Sequence, residues 1–129
     1  MAPFRLRVLL ADDNAGVLKS LSRLLALEFD VVGSVTNGNG VLEAAHRLQP
    51  DIIILDLSFT DVESLEVCRL VTQRHPRTKV IVFTVEDGAD VRRRAFEAGA
   101  AAFVNKLVAG ELVSEVRRVH GDDRRDRQD

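Results

Sequence analysis

The stretch "DIIILDLSFTD", residues 51–61, places four consecutive large aliphatic residues directly before an acidic one, Asp56. Such a dense apolar run is typical of a central strand in a parallel sheet that helices cover on both faces. A carboxylate buried there without a partner would cost several kcal/mol, so Asp56 must either be exposed to solvent or have a functional role. The stretch therefore predicts a buried parallel strand whose carboxyl end carries a candidate functional residue.

Similar runs alternate with helical-period segments along the whole chain. The five predicted strands lie within 5–11, 30–35, 51–57, 78–84 and 101–104. Apolar residues at helical spacing follow each run, for example Val17, Leu21, Leu24 and Leu25 after the first, and Gly99 is placed like a helix stop. Five βα units indicate an α/β fold built as a doubly wound, five-stranded parallel sheet.

Length, charge and composition limit the function classes. The 129 residues fit one domain, predicted over 1–120, with the charged segment 121–129 as a flexible tail or the start of a linker. A net charge of -2 argues against direct binding of nucleic acid. The apolar runs are too short to span a bilayer and no secretion signal is evident, so we expect no membrane association and a cytoplasmic protein. The lone Cys68 is interpreted as a small buried residue.

Polar residues stand at the carboxyl ends of four predicted strands, where ligands of open α/β sheets bind. They are Asp12 and Asp13, Asp56, Thr84 and Lys106. Each alone has an ordinary interpretation, such as helix capping by Asp13 or Asn14. Together, three nearby carboxylates repel one another and favour a cation with hard oxygen ligands such as Mg²⁺, while a lysine and a threonine suit a phosphoryl group. The set indicates phosphoryl transfer to a carboxylate.

Four motifs resemble the receiver domain of two-component response regulators over residues 5–119: "LLADDN" (9–14), "IILDLS" (53–58), "VFT" (82–84) and "FVNK" (103–106). The resemblance implies the flavodoxin-like (βα)5 receiver fold with strand order 2-1-3-4-5. The stretches "VVGSVTNG" (31–38) and "PDIIILDLS" (50–58) are similar to the subfamily that often carries a C-terminal helix-turn-helix output domain, which implies transcription regulation.

The resemblance implies a role for each site residue. Asp56 is the phosphoacceptor, and its donor is a sensor histidine kinase, a phosphotransfer protein or a small phosphodonor. Mg²⁺, or Mn²⁺, is held by Asp12, Asp13, Asp56 and the backbone carbonyl of Ser58, and phosphoryl binding and switching fall to Thr84, Lys106 and Phe103. The readout is the surface of helix four, strand five and helix five, through an output or a homodimer formed on activation. The resemblance also implies that the domain catalyses only its own phosphorylation and slow dephosphorylation, and is otherwise not an enzyme.

Three parts of the chain depart from the receiver pattern. Leu107 replaces a proline that follows a cis peptide, so we expect a trans bond and a less firmly held Lys106 ammonium. Val85 replaces a very small residue, and we expect it to narrow access to Asp56 and slow phosphoryl exchange. Phe59-Thr60 and Glu63-Ser64 replace Met-Pro and Asp-Gly, and a positive φ at Ser64 would add strain.

Two alternatives remain open. A degenerate receiver would dock partners without being phosphorylated. An aspartate-nucleophile phosphatase is the other, because "ILDLSFT" (54–60) faintly resembles the haloacid-dehalogenase motif, although Ser58 stands where that chemistry needs a general acid.

Overall fold

The computed structural model describes residues 5–128, and side chains up to residue 121. Five strands form one parallel sheet: β1 (Arg7–Ala11), β2 (Asp30–Val35), β3 (Ile52–Leu55), β4 (Lys79–Thr84) and β5 (Ala102–Asn105). The helices are α1 (Ala15–Leu25), α2 (Asn39–Leu48), α3 (Ser64–Arg74), α4 (Ala89–Glu97) and α5 (Glu111–Gln128), with a 3₁₀ turn at Lys106–Val108. The strand order is β2-β1-β3-β4-β5 with every pairing parallel, which confirms the predicted fold.

The central strands are buried on both faces because their side chains alternate between two apolar clusters. Ile53 and Leu55 of β3 face the cluster that includes residues of α2, α3 and α4, whereas Ile52 and Ile54 face the one that includes residues of α1 and α5. All four are at most 2% exposed. The unbroken aliphatic run of β3 is thus explained by helices on both sides of the sheet.

The helical faces follow the sequence pattern with one correction. Leu24, predicted on the buried face of α1, is 41% exposed, and Leu18 is buried with Leu21 and Leu25 instead. Residues 18, 21 and 25 follow the three- and four-residue spacing of a helix, whereas Leu24 lies at the edge of that face. The predicted stop at Gly99 is confirmed: its φ is +104°, and the Ala100 N–H donates to the Ala95 carbonyl over 3.0 Å, as in a Schellman motif.

At the C-terminus, α5 continues to Gln128, through most of the segment predicted as a frayed tail or linker start. The side chains of residues 122–129 lie outside the described part, so the domain boundary at residue 120 stays a prediction. Cys68 is buried as expected, and burial raises the pKa of its thiol to about 12. Among residues 5–128, none of the helices combines the length and apolarity needed to cross a membrane.

Candidate functional site

The sheet brings the three aspartates together. Ala11 and Leu55 are paired in neighbouring strands, so the next residues, Asp12 and Asp56, leave the sheet side by side. The Asp56 N–H donates to the Ala11 carbonyl over 2.9 Å, which extends the strand pairing by one residue. One carboxylate oxygen from each of Asp12, Asp13 and Asp56 lies within 4.8 Å of the others. Asp12 and Asp56 are each 2% exposed and Asp13 is exposed, so the cluster has one open side.

Lys106 supplies the counter-charge. Its Nζ lies 2.6 Å from Asp12 Oδ2 and 3.3 Å from Asp56 Oδ1, and its side chain is 16% exposed. Burial by itself lowers the pKa of the Lys106 ammonium, but the hydrogen bond to Asp12 and the charges of Asp56 and Asp12 outweigh it and raise the pKa above its usual value. The lysine is therefore charged and directed at the acidic cluster.

The bond after Lys106 is trans, as predicted, since residues 5–128 contain no cis peptide. How firmly the ammonium is held stays a prediction, but Lys106 does contact both buried aspartates across this trans bond. The 3₁₀ turn accounts for this: Asn105 Oδ1 accepts the Leu107 N–H over 2.8 Å and caps the turn that carries Lys106. Proline at position 107 could not donate that hydrogen bond.

Ser58 contributes a contact that the sequence reasoning missed. Its hydroxyl donates to Asp56 Oδ2 and also lies 2.9 Å from Asp13 Oδ1. A hydroxyl has a single proton, so Ser58 bridges the two carboxylates by donating to one of them at a time. Only the backbone carbonyl of Ser58 was expected to matter, and the serine two positions after Asp56 was the signal for its side chain.

Asn14 settles which residue caps the first helix. Its side chain accepts the Val17 N–H over 3.0 Å, and its own N–H donates to Asp12 Oδ1 over 2.9 Å. Asn14 is thus the cap of α1 and helps to orient Asp12. Asp13 is left free of the capping role and exposed beside the cluster.

Thr84 and Phe103 lie on the strands next to the acceptor. Thr84 ends β4, is 1% exposed, and its Oγ1 accepts the Glu86 N–H over 3.3 Å. Phe103 on β5 is 9% exposed, and the guanidinium carbon of Arg92 on α4 lies 5.5 Å from its ring centroid. Both side chains sit at the β4–β5 side of the sheet, and the Phe103 ring connects this side to Arg92 on α4.

The loop from Asp56 to α3 departs from the receiver pattern without the strain considered above. Ser64 begins α3, and Gln49 is the only non-glycine residue with positive φ in the described range 5–128, so Ser64 needs no glycine-like backbone. Glu63 takes over the cap of α3, accepting the Leu65 and Glu66 N–H groups. Phe59 is 7% exposed and belongs to the core, so the altered loop remains packed against the domain.

The donor set fits a hard divalent cation. Three carboxylates face one lysine, so the cluster retains net negative charge that a cation would offset. Carboxylate oxygens are the ligands preferred by Mg²⁺, which needs few of them because it keeps several waters.

Comparisons with known proteins agree with this geometry. The sequence profile of the response regulator receiver domain matches residues 8–117. The chain is 33% identical over 118 residues to the response regulator GacA of Pseudomonas viridiflava, covering 88% of this chain and 55% of GacA. It is 30% identical over 118 residues to the transcriptional regulatory protein LnrK of Bacillus subtilis (strain 168), covering 89% of this chain and 54% of LnrK.

The chain therefore spans about half the length of these curated relatives. Among solved structures, a LuxR-family two-component response regulator from Aurantimonas sp. SI85-9A1 superposes with a TM-score of 0.86 at 26% identity, covering 92% of this chain and 87% of that one. A profile match over most of the chain, relatives of 30% identity or more and a shared fold lead to one conclusion: the chain belongs to the response regulator receiver domain family.

Proposed function

We propose that the chain accepts a phosphoryl group on Asp56 and acts as the regulated switch of a two-component system. One observation carries the proposal: Asp56 ends a buried central strand with Lys106 Nζ 3.3 Å from its carboxylate and with Asp12 and Asp13 beside it. This arrangement holds the nucleophile rigidly and leaves the exposed Asp13 side open to a donor. Because the three aspartates and Lys106 are all present, the site favours a receiver that accepts a phosphoryl group over the degenerate one.

The residues have distinct tasks in the transfer. An oxygen of Asp56 forms a bond to phosphorus while the bond from phosphorus to the donor's imidazole nitrogen breaks, and that nitrogen keeps the electron pair. The Lys106 ammonium offsets negative charge on the phosphoryl oxygens in a loose transition state. Mg²⁺ held by Asp12, Asp13, Asp56 and the Ser58 carbonyl would add positive charge toward the same oxygens. The Ser58 hydroxyl must give up its hydrogen bond to the Asp56 oxygen that reacts.

The signal then passes to α4, β5 and α5. The Thr84 hydroxyl is free to exchange its contact with the Glu86 N–H for a phosphoryl oxygen. Phe103, which is already buried, then repacks away from the Arg92 guanidinium, which changes the surface that Arg92 helps to form. The phosphoryl group biases two packings of this region through its charge and acceptor oxygens. A homodimer or an output domain reads that surface.

The donor is a sensor histidine kinase or a phosphotransfer protein. An open groove of about 550 Å³ beside the acidic cluster, lined by Val17, Leu21, Phe83 and Lys106 among others, offers it a place to dock. Both curated relatives named above are regulators, and LnrK is described as transcriptional, so the output we propose is control of transcription in the cytoplasm. The net charge of -2 favours protein partners over direct contact of this domain with nucleic acid.

Intact-mass measurement with acetyl phosphate and Mg²⁺ tests the proposal. The wild-type protein should gain one phosphoryl group, whereas Asp56→Ala and a reaction without divalent cation should gain none. An equal adduct on Asp56→Ala would refute Asp56 as the acceptor. No adduct on the wild type, with partner binding retained, would favour the degenerate receiver instead, and multiple turnover on a phosphoester would favour the phosphatase.

A further inference from the structure

The loop between β3 and α3 is attached to the start of α2 by one side chain. The carboxylate of Asp61 accepts the Gly38 N–H at Oδ1 over 2.9 Å and the Asn39 N–H at Oδ2 over 3.0 Å. These residues are 23 and 22 positions away along the chain. Asp61 therefore joins two segments that share no secondary structure.

The start of α2 needs such an acceptor. The first N–H groups of a helix have no partner within it, and Gly38, the residue before α2, has no side chain to cap them. Asn37 Oδ1 accepts the Gly40 N–H over 2.7 Å, which leaves the Gly38 and Asn39 N–H groups for Asp61. A carboxylate is also favoured at this end of a helix by the backbone dipoles.

The packing of the loop supports this contact. A Cβ on Gly38 would lie 2.1 Å from Val62 Cγ2, so the loop packs directly onto the backbone there. The N–H groups of Asn39 and Gly38 hold the pKa of Asp61 below its usual range, so the carboxylate is charged at neutral pH.

The attached loop carries part of the acidic site. The segment 57–60 lies between Asp56, fixed to β1 by its N–H, and Asp61, fixed to α2. Within it, Ser58 contacts both Asp13 and Asp56, and Phe59 is buried in the core. Because the segment is short, its two attached ends restrict the position of Ser58. When the Asp61 end is released, Ser58 can move away from the cluster.

We propose that Asp61 is a positioning residue that holds the β3–α3 loop against α2 and thereby keeps Ser58 in place at the acidic cluster. Asp61 touches neither the metal nor the phosphodonor. Its loss should weaken binding of the divalent cation and, through it, slow phosphoryl acceptance. The second consequence rests on the proposed function, whereas cation binding and loop mobility can be measured without it.

Asn37→Ala provides a matched control. It removes the other side-chain acceptor at the start of α2 and leaves the loop attached. Mn²⁺ binding, followed by electron paramagnetic resonance of the free ion, suits this chain, which has no tryptophan or tyrosine for a fluorescence assay. Asp61→Ala should raise the Kd for Mn²⁺ by about tenfold, the lower end of the effect of residues that orient metal ligands, and Asn37→Ala by less than about twofold.

Loop mobility gives a readout without metal. The ¹⁵N order parameters of residues 57–60 should fall from about 0.85 toward 0.6 in Asp61→Ala and stay near the wild-type values in Asn37→Ala. Should Asp61→Ala fail to fold, Asp61→Asn keeps the size of the side chain and one acceptor oxygen, and an intermediate change in both measurements is expected. Circular dichroism shows which variants are folded.

The outcomes separate the two proposals. Equal Mn²⁺ affinity and equal order parameters in the wild type, the Asp61 variant and Asn37→Ala would overturn the positioning role. So would equal losses in both variants, which would show that Asp61 only stabilises α2. A wild-type protein that binds Mn²⁺ but takes no phosphoryl group from acetyl phosphate would refute the proposed function and leave the role of Asp61 intact.

Discussion

At the scale of single residues, Lys106 balances two carboxylates that the fold buries. The side chains of Asp12 and Asp56 are 3% and 2% exposed, and each lies within 3.3 Å of the Lys106 ammonium. A buried charge is tolerated when it is paired and hydrogen-bonded. Lys106 therefore contributes to stability before any phosphoryl group arrives, in addition to its proposed part in the chemistry.

Lys106→Met should destabilise the metal-free protein by about 2 to 3 kcal/mol, below the cost of breaking a wholly buried pair because the ammonium keeps some exposure to water. Urea unfolding in the presence of a chelator measures the change. Lys19→Met, on the exposed face of α1, is the control and should have little effect. Added Mg²⁺ should restore part of the loss. A Lys106 variant as stable as the control would contradict the pairing.

Val85 tests whether access limits the proposed reaction. Its side chain follows Thr84 directly and is 61% exposed, so truncation should change stability by less than about 0.5 kcal/mol. Val85→Ala should speed phosphorylation by acetyl phosphate by about threefold. This corresponds to a decrease of less than about 1 kcal/mol in the activation free energy. The initial rate of adduct formation by intact mass provides the measurement. An unchanged rate would show that Val85 does not restrict the acceptor.

At the scale of elements, the contact of Asp61 with α2 makes stability depend on pH in a definite direction. The Asn39 and Gly38 N–H groups lower the pKa of Asp61 in the folded state. When the pKa of a carboxyl is lower in the folded than in the unfolded state, the ionised group stabilises the fold. This stabilisation is complete above the pKa of the unfolded state, about 3.9, and is lost as the pH falls through the pKa of the folded state.

The free energy of unfolding should therefore differ between wild type and Asp61→Asn at pH 7, and the difference should shrink toward pH 3. Urea titrations at several pH values measure it. Asn37→Ala removes an uncharged cap from the same helix, so its effect should not depend on pH. A constant difference for Asp61→Asn would contradict the assignment of the depressed pKa.

Two glycines should respond to alanine in opposite directions. Gly99 ends α4 with φ +104°, and a Cβ there would lie 2.5 Å from Thr72 Oγ1, so Gly99→Ala should cost about 1 to 2 kcal/mol. Gly121 lies within α5 with open space around its Cα, so Gly121→Ala should stabilise by up to about 1 kcal/mol. Thermal unfolding of both variants decides the matter, and equal effects would refute the backbone argument.

At the scale of the whole molecule, the acidic site opposes the stability of the fold. The sheet places three carboxylates together with one lysine, and the repulsion is present whenever no cation is bound. Two apolar clusters, one on each face of the sheet, supply the stability that holds this arrangement in place. The fold thus keeps a cluster whose negative charge a bound cation would offset.

Mg²⁺ at ten times its Kd should stabilise the wild type by about 1.4 kcal/mol. For a domain of this size the melting temperature should then rise by about 3 to 6 °C. Asp13→Asn removes one charge from the cluster, so it should raise the melting temperature of the metal-free protein and abolish most of the Mg²⁺ effect. Differential scanning calorimetry with and without Mg²⁺ would test both statements, and a variant that still responds fully would place the cation elsewhere.

Local sequence patterns were enough to predict the strands of the sheet and the polar residues at their ends. Apolar runs such as 51–57 could be assigned to buried strands because strand periodicity is local, and carboxyl ends of adjacent parallel strands necessarily meet at one edge. The strand order that the receiver resemblance implies sets strand three beside strand one, so Asp12 and Asp56 were predicted as neighbours. The buried face of α1 was predicted only in part, since Leu18 and Leu24 are both apolar and packing alone decides which of them is covered.

The contacts of Lys106, Ser58 and Asp61 became apparent only once the chain was folded. Lys106 is 94 positions from Asp12, Ser58 is 45 from Asp13, and Asp61 is 22 from Asn39. No periodic signal marks such pairs, because each contact depends on the path of a loop or turn after its strand has ended. Local patterns determine which elements form. Contacts between loops that are far apart in the sequence determine which polar side chains lie at the site.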